Sequence, residues 1–158
     1  MASIRKLSCG LINIQSVGNK TNKIKNLLEE LDIDIFLLTE TWLCNNISDS
    51  SKIREMTSEL YNFYHIPREN KWGGGVGIFI KKTATKVEML NTIRYNSFEH
   101  IDTKITASNK NIRIIPIYKP TNKSKSEYFE EISDLESLED TRNLILFGDF
   151  NLHIDKLN

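Results

Sequence analysis

The chain has 158 residues, with 21 Lys+Arg against 21 Asp+Glu, so its formal net charge is zero and it lacks a global basic signature for nucleic acid. Apolar residues make up 39% and charged residues 27%, the balance of a soluble globular protein and not of a disordered or collagen-like chain. No apolar run approaches the roughly 18 residues of a membrane-spanning helix, and the length suits one domain rather than two.

Cys9 and Cys44 are the only cysteines and form no CxxC or Cys/His cluster, which argues against a zinc site or a disulfide framework. An intracellular location, nuclear or cytoplasmic, is the expectation, since the broken apolar stretch after Met1 reads as a strand and not as a signal peptide. Charge alternates along the chain. Residues 1–28 hold five basic and no acidic side chains, and residues 29–60 hold two against eight. Residues 61–125 hold twelve against four, and residues 126–158 hold two against nine. The basic middle includes Arg68, Lys71, Lys81, Lys82, Lys86, Lys119, Lys123 and Lys125, a source of phosphate contacts if the fold gathers them, and otherwise ordinary solvated lysines.

In chain order, "KLSCGLINI" reads as a buried strand. Ile24, Leu27, Leu28 and Leu31 then fall on one helical face, opened by Asn19 or Thr21. "DIFLLTE" is a short continuous apolar run, the mark of a strand covered on both faces. Ile53, Met56 and Leu60 suggest a helix after the Ser/Asp cluster at 48–51. Four strand-like stretches follow, "YNFYHI", "GVGIFIKK", "KVEML" and "SFEHIDTKI". Next comes "IRIIPIY", whose Pro116 cannot donate to a ladder and so points to an edge or a bulge. Ser124 and Glu127 form a capping box ahead of Tyr128, Phe129, Ile132, Leu135 and Leu138, and "NLILFGD" is the last strand. Helices flanking a strand-rich middle imply layered sheets with helices packed outside.

Several strands finish in polar groups: Asn13, Thr39-Glu40, Tyr118, and Asp149-Phe150-Asn151. Strand ends are rigid platforms whose side chains can converge on one rim. A carboxylate pair such as Glu40 and Asp149 suits Mg²⁺, which takes one or two carboxylates plus waters and phosphate oxygens. Plainer roles exist for each residue: a cap or ion pair for Glu40, turn residues for Asp149 and Asn151, a structural amide for Asn13, a rim aromatic for Tyr118. The run Gly73–Gly75 lacks GxxxxGK[ST] and GxGxxG, so it reads as a tight turn into a strand, with Trp72 packing beside it. His65, His100 and His153 read as surface or core histidines.

Taken in order, "LINIQS", "LLTETWL", "KWGGGVGIFI", "IIPIYKP" and "LILFGDFNLHID" resemble the endonuclease/exonuclease/phosphatase superfamily, with its deoxyribonuclease-I-like and apurinic-endonuclease-like members. "LTETWL", "FEH" and "GDFNLHID" are especially similar to the endonuclease domain of non-LTR (LINE-type) retrotransposons, which accompanies a reverse transcriptase. The resemblance spans roughly residues 7 to 155. It implies an α/β (α+β) fold, a four-layer, two-sheet sandwich flanked by helices in a single domain over residues 1–158, lacking its last strands. It also implies cleavage of DNA phosphodiester bonds with Mg²⁺ or Mn²⁺. By position, Glu40 and Asn13 would hold the metal, and Asn13, Tyr118 and Asn151 would position the phosphate. Asp149 would orient or deprotonate the attacking water, so that Asp149, Asn151 and Tyr118 form the catalytic set. The family's terminal Ser-Asp-His motif has no match in these 158 residues, and His153 is a poor stand-in, so impaired nicking is expected of them. The rival expectations are a family phosphatase or phosphodiesterase acting on something other than DNA, and a remnant that binds nucleic acid or a partner without cleaving.

Overall fold

A computed structural model describes residues 6–67, 73–83, 86–90, 93–107, 110–138 and 142–152. The elements run β1 (Cys9–Asn13), α1 (Thr21–Leu31), β2 (Ile35–Thr39), α2 (Ile47–Met56), β3 (Tyr61–His65) and β4 (Val76–Lys81). They continue β5 (Lys86–Met89), β6 (Glu99–His100), β7 (Thr103–Ala107), β8 (Lys110–Tyr118), α3 (Lys125–Ser137) and β9 (Leu144–Asp149).

One sheet has the order β1-β2-β4-β3, with β1 and β2 parallel. In the other, β8 pairs β7 and β6 on one side and β9, in parallel, on the opposite side, while β5 extends β7. The two sheets pack face to face and a helical layer covers each outer face. Alternation along β2 shows why: Ile35 and Leu37 join Val76, Ile78, Ile80, Ile105 and Ile114 between the sheets. Phe36 and Leu38 instead join Phe79, Ile24, Leu28 and Met56 beneath α1 and α2. A third core sets Ile115 and Ile117 of β8 against Tyr128 and Leu135 of α3. This is the expected two-sheet sandwich, and the continuous apolar run of β2 follows from its burial on both faces.

Several local expectations are corrected. "SFEHIDTKI" breaks into β6 and β7, because Asp102 turns inward to form a bidentate, buried ion pair with Arg113 at 2.9 and 2.7 Å. Pro116 lies on neither an edge nor a bulge of its own strand. It sits in central β8, opposite the β6–β7 break, where its carbonyl accepts from the Ile101 amide at 3.2 Å. The interruption removes the neighbour that would have needed its missing N–H. Helix α1 has Lys20 at its N-cap with no side-chain cap bond, and Leu31 is half-exposed at its end. Helix α2 is capped by Asn46, which accepts from the Asp49 amide, and it stops at Met56, leaving Leu60 exposed. The Ser124 cap of α3 forms as expected, but Phe129 and Leu138 face outward. Of the basic residues of the middle stretch, Lys119 is buried and Lys81 pairs with Asp32, while Arg68 and Lys71 lie outside the described residues. Trp72 and His153 also lie outside them. Strands β1 and β9 each pair on one side only among the described residues, with Leu11 and Ile145 exposed along them.

Candidate active site

The parallel register that sets Asn13 beside Thr39 brings the ends of β1 and β2 to one rim of the first sheet. In the second sheet, Tyr118 is paired with Asp149 on one side and Glu99 on the other. These two rims meet. The Asn13 side-chain amide nitrogen donates to Glu40 Oε1 and to Asp149 Oδ2, both at 2.9 Å, so a single carboxamide bridges the sandwich. Its Oδ1 accepts from the Gln15 amide at 3.2 Å.

Glu40 follows β2 in a left-handed conformation, φ 55°, and Trp42 does the same at 58°. Side chains with a Cβ adopt this region only where surrounding bonds fix it. Here Ser16 and Val17 donate backbone N–H groups to the Glu40 and Thr41 carbonyls, at 2.7 and 3.1 Å. On the other side, the Thr41 and Trp42 amides donate to the Gly75 and Gly74 carbonyls at 3.2 and 2.8 Å. The glycine run is a turn into β4, as expected, and its role here is to grip the Glu40 segment. A Cβ on Gly75, φ 92°, would lie 2.5 Å from Thr41 Oγ1.

Tyr118 is half-buried. Burial pushes its phenol up to about 12, helped by the charges of Glu40, Glu99 and Asp149 and by a hydrogen bond to Glu40. It is therefore a neutral donor at physiological pH. Asn151, φ 45°, donates its backbone N–H to Asp149 Oδ1 at 3.3 Å and its side-chain amide to the Lys119 carbonyl at 2.7 Å. Between them Phe150 packs with the core under α3. The buried Lys119 ammonium donates to the Pro120 and Lys123 carbonyls, at 3.3 and 2.9 Å, fixing the turn beside Asn151.

All five residues singled out in the sequence thus stand at one end of the sandwich, half-buried and reachable by a ligand. Glu99 was not among them. Its signal was faint: a carboxylate in the strand-like stretch "SFEHIDTKI", whose partner only the β6–β8 register reveals. His100, next to it, turns to the opposite face, buried against Tyr95 and Phe98.

The donor set fits a hard divalent cation. Three carboxylates crowd one phenol, and a phosphate approaches such a surface only with a cation between them. Among the described residues no group of three or more His, Cys, Asp or Glu forms a closed cage. An open site of few protein oxygens is what Mg²⁺ uses when waters and substrate phosphate complete its shell.

The known structures agree on the fold. The endonuclease domain of TRAS1, a telomere-specific non-LTR retrotransposon, superposes with a TM-score of 0.71 at 15% identity, covering 92% of this chain and 60% of its own. A humanized D. rerio TDP2 gives 0.66 at 16% identity, with 94% and 68% covered. A mannosyl-6-phosphatase of Bacteroides thetaiotaomicron gives 0.63 at 14%, with 93% and 66% covered. The chain thus spans roughly three-fifths to two-thirds of the length of these structures. No curated protein matches its sequence. The model of the endonuclease/exonuclease/phosphatase family matches residues 10–157, nearly the whole chain, and with the shared fold this shows that the chain belongs to that family.

Proposed function

We propose that these residues form the ion- and phosphate-holding part of a phosphodiesterase site that acts on DNA within a single domain over residues 1–158. The observation that carries the reading is the Asn13 carboxamide held between Glu40 and Asp149. Glu40, with the lone pair of Asn13 Oδ1 that remains after the bond from the Gln15 amide, would hold Mg²⁺ or Mn²⁺. A divalent ion bound there supplies Lewis-acid stabilisation of charge developing on phosphate oxygens.

The protein's own groups do the rest. Asn13 fixes both carboxylates in place. Tyr118, kept protonated, donates to a non-bridging phosphate oxygen. Asp149, oriented by the Asn13 side chain and the Asn151 amide, accepts the proton of the attacking water. The Asn151 side chain has one N–H left after bonding the Lys119 carbonyl, and that N–H is available to the phosphate. DNA as substrate is supported by the likeness to the TRAS1 endonuclease domain and to a D. rerio TDP2 complexed with single-strand DNA product. A phosphomonoester is the second reading, favoured by the likeness to a mannosyl-6-phosphatase.

The test is a substrate panel of supercoiled plasmid, abasic duplex and inositol phosphates, with Mg²⁺ or with chelator. The expected result is salt-dependent DNA binding that Mg²⁺ strengthens and that Glu40→Ala weakens. Nicking by these 158 residues should be slow or absent, since the sequence supplies no Ser-Asp-His motif. Robust nicking abolished by Glu40→Ala would refute the expected impairment. Turnover confined to inositol phosphates would refute the choice of DNA, and DNA binding indifferent to Mg²⁺ and to Glu40→Ala would favour a non-catalytic binding role.

A further inference from the structure

We propose that Glu99 is a positioning residue for Glu40, acting through the glycine turn without touching the ion itself. The inference rests on the reading of Glu40 as an ion-holding carboxylate. Glu99 lies on β6 directly across from Tyr118, so its side chain projects to the same rim as the site. Its Oε2 accepts a charge-assisted hydrogen bond from the Gly75 amide. The Gly75 carbonyl in turn accepts from Thr41, and the Gly74 carbonyl from Trp42, the two residues following Glu40.

Both partners in this clasp are conformationally unusual. Gly73, Gly74 and Gly75 have φ of 74°, 71° and 92°, and Glu40 and Trp42 have φ of 55° and 58°. Left to itself, a Glu-Thr-Trp segment relaxes to ordinary negative φ. Moving it would swing the Glu40 carboxylate off the Asn13 amide. The clasp supplies bonds on the side of the segment that the Ser16 and Val17 amides do not reach. Glu99 anchors it from the second sheet, so the position of Glu40 is referred to the sheet that carries Tyr118 and Asp149.

A carboxylate is an awkward choice beside Glu40 and Asp149, because like charges repel. That cost argues for a specific task, which the bond to Gly75 provides. Glu99 also adds negative field near the phenol of Tyr118. The bond from the Gly75 amide already engages Glu99 Oε2, which assigns this carboxylate to the turn and leaves the ion to Glu40 and Asn13. Outer residues that orient a ligand still matter to affinity, commonly by about 10–100-fold.

The test measures Mn²⁺ affinity, by the electron paramagnetic resonance of free Mn²⁺, for the wild-type chain, Glu99→Ala, Glu99→Gln and Glu40→Ala. Amide hydrogen exchange at Thr41, Trp42 and Gly75 is read alongside. Glu99→Ala should weaken Mn²⁺ by about tenfold or more and strip protection from these amides. Glu99→Gln keeps an acceptor for Gly75 and should restore most of both. A Gln variant as weak as Ala would mean direct ligation and overturn the proposal. So would an Ala variant that lowers only the melting temperature, with affinity unchanged. If Glu99→Ala does not fold, Glu99→Asp, one methylene shorter, takes its place with the same expectations. Failure of the underlying site reading has a different signature: Glu40→Ala then leaves Mn²⁺ affinity unchanged, while Thr41 and Trp42 protection in Glu99→Ala still reports the clasp. Protection that persists there overturns it.

Discussion

Gly148 lies inside β9, paired with Ile117 of β8 one residue before Asp149, and replacing it with alanine tests both the fold and the site. A Cβ at this position would lie 2.0 Å from the Ile117 carbonyl oxygen, 2.8 Å from its carbon and 3.1 Å from its Cα. All three atoms are backbone, so no rotamer change relieves the collision. A carbon beside a carbonyl oxygen needs about 3.3 Å, so β8 and β9 would have to part by about 1.3 Å. The next pair in the parallel register is Tyr118 and Asp149, and the Lys119 amide donates to the Asp149 carbonyl at 2.9 Å. Overpacking costs about 1–3 kcal/mol, and a broken ladder bond adds about 1 kcal/mol. Gly148→Ala should therefore lose about 2–4 kcal/mol in urea unfolding followed by circular dichroism. Two other glycines calibrate the claim. At Gly10 the added Cβ meets the Phe36 ring at 2.8 Å, a side chain that can shift, and the loss should be about 1–2 kcal/mol. At Gly18 it meets only Ser16 Oγ at 3.2 Å, and the change should stay within about 0.5 kcal/mol. A Gly148→Ala protein as stable as Gly18→Ala would refute the strand geometry on which the position of Asp149 depends.

Asp102→Ala leaves Arg113 charged and buried at the β6–β7 break, and should cost about 3–5 kcal/mol by the same unfolding assay. Burial, joined by the Arg113 charge and opposed by Asp102, lowers His100 to about 4. The unfolded chain then takes up a proton that the folded one refuses. His100 should thus withdraw stability as pH falls from about 6.5 toward 4, a slope that His100→Phe removes. Its ring C–H resonance should stay unshifted down to about pH 5. For Tyr118, raised to about 12, the sign is reversed along the scale: its stabilisation is complete below about pH 10 and lost as pH climbs to the folded value. The 295 nm absorbance titration of wild type minus Tyr118→Phe should show one phenol ionising near 12, and a midpoint near 10 would contradict its burial among carboxylates.

The layers of this fold were legible because β2 carries an uninterrupted apolar run and α3 a capping box, each of which has few alternatives. Asn13, Glu40, Tyr118 and Asp149 could be picked out as polar residues where apolar strands end. That they meet follows from parallel registers between distant segments, which no local pattern encodes. Pro116 misled for the same reason. Its tolerance in a central strand depends on the gap between β6 and β7, and that gap depends on Asp102 reaching Arg113. Glu99 escaped notice because a carboxylate on a short strand resembles a surface residue until its acceptor role toward Gly75 is seen. The glycine run showed its turn but not its grip on Thr41 and Trp42, since hydrogen bonds between carbonyls and amides leave no trace in side-chain pattern.

The most direct measurement is a Mg²⁺ titration of the ¹⁵N-labelled chain, watching the Asn13 side-chain amide. That group donates to both Glu40 and Asp149, so an ion bound at Glu40 must change its shielding. The account predicts that the largest saturable shifts fall on the Asn13 side chain and on the backbone around Glu40, and that Glu40→Ala abolishes them. Shifts scattered over the acidic surfaces of α2 and α3, with the Asn13 amide unmoved or equally moved in Glu40→Ala, would contradict it.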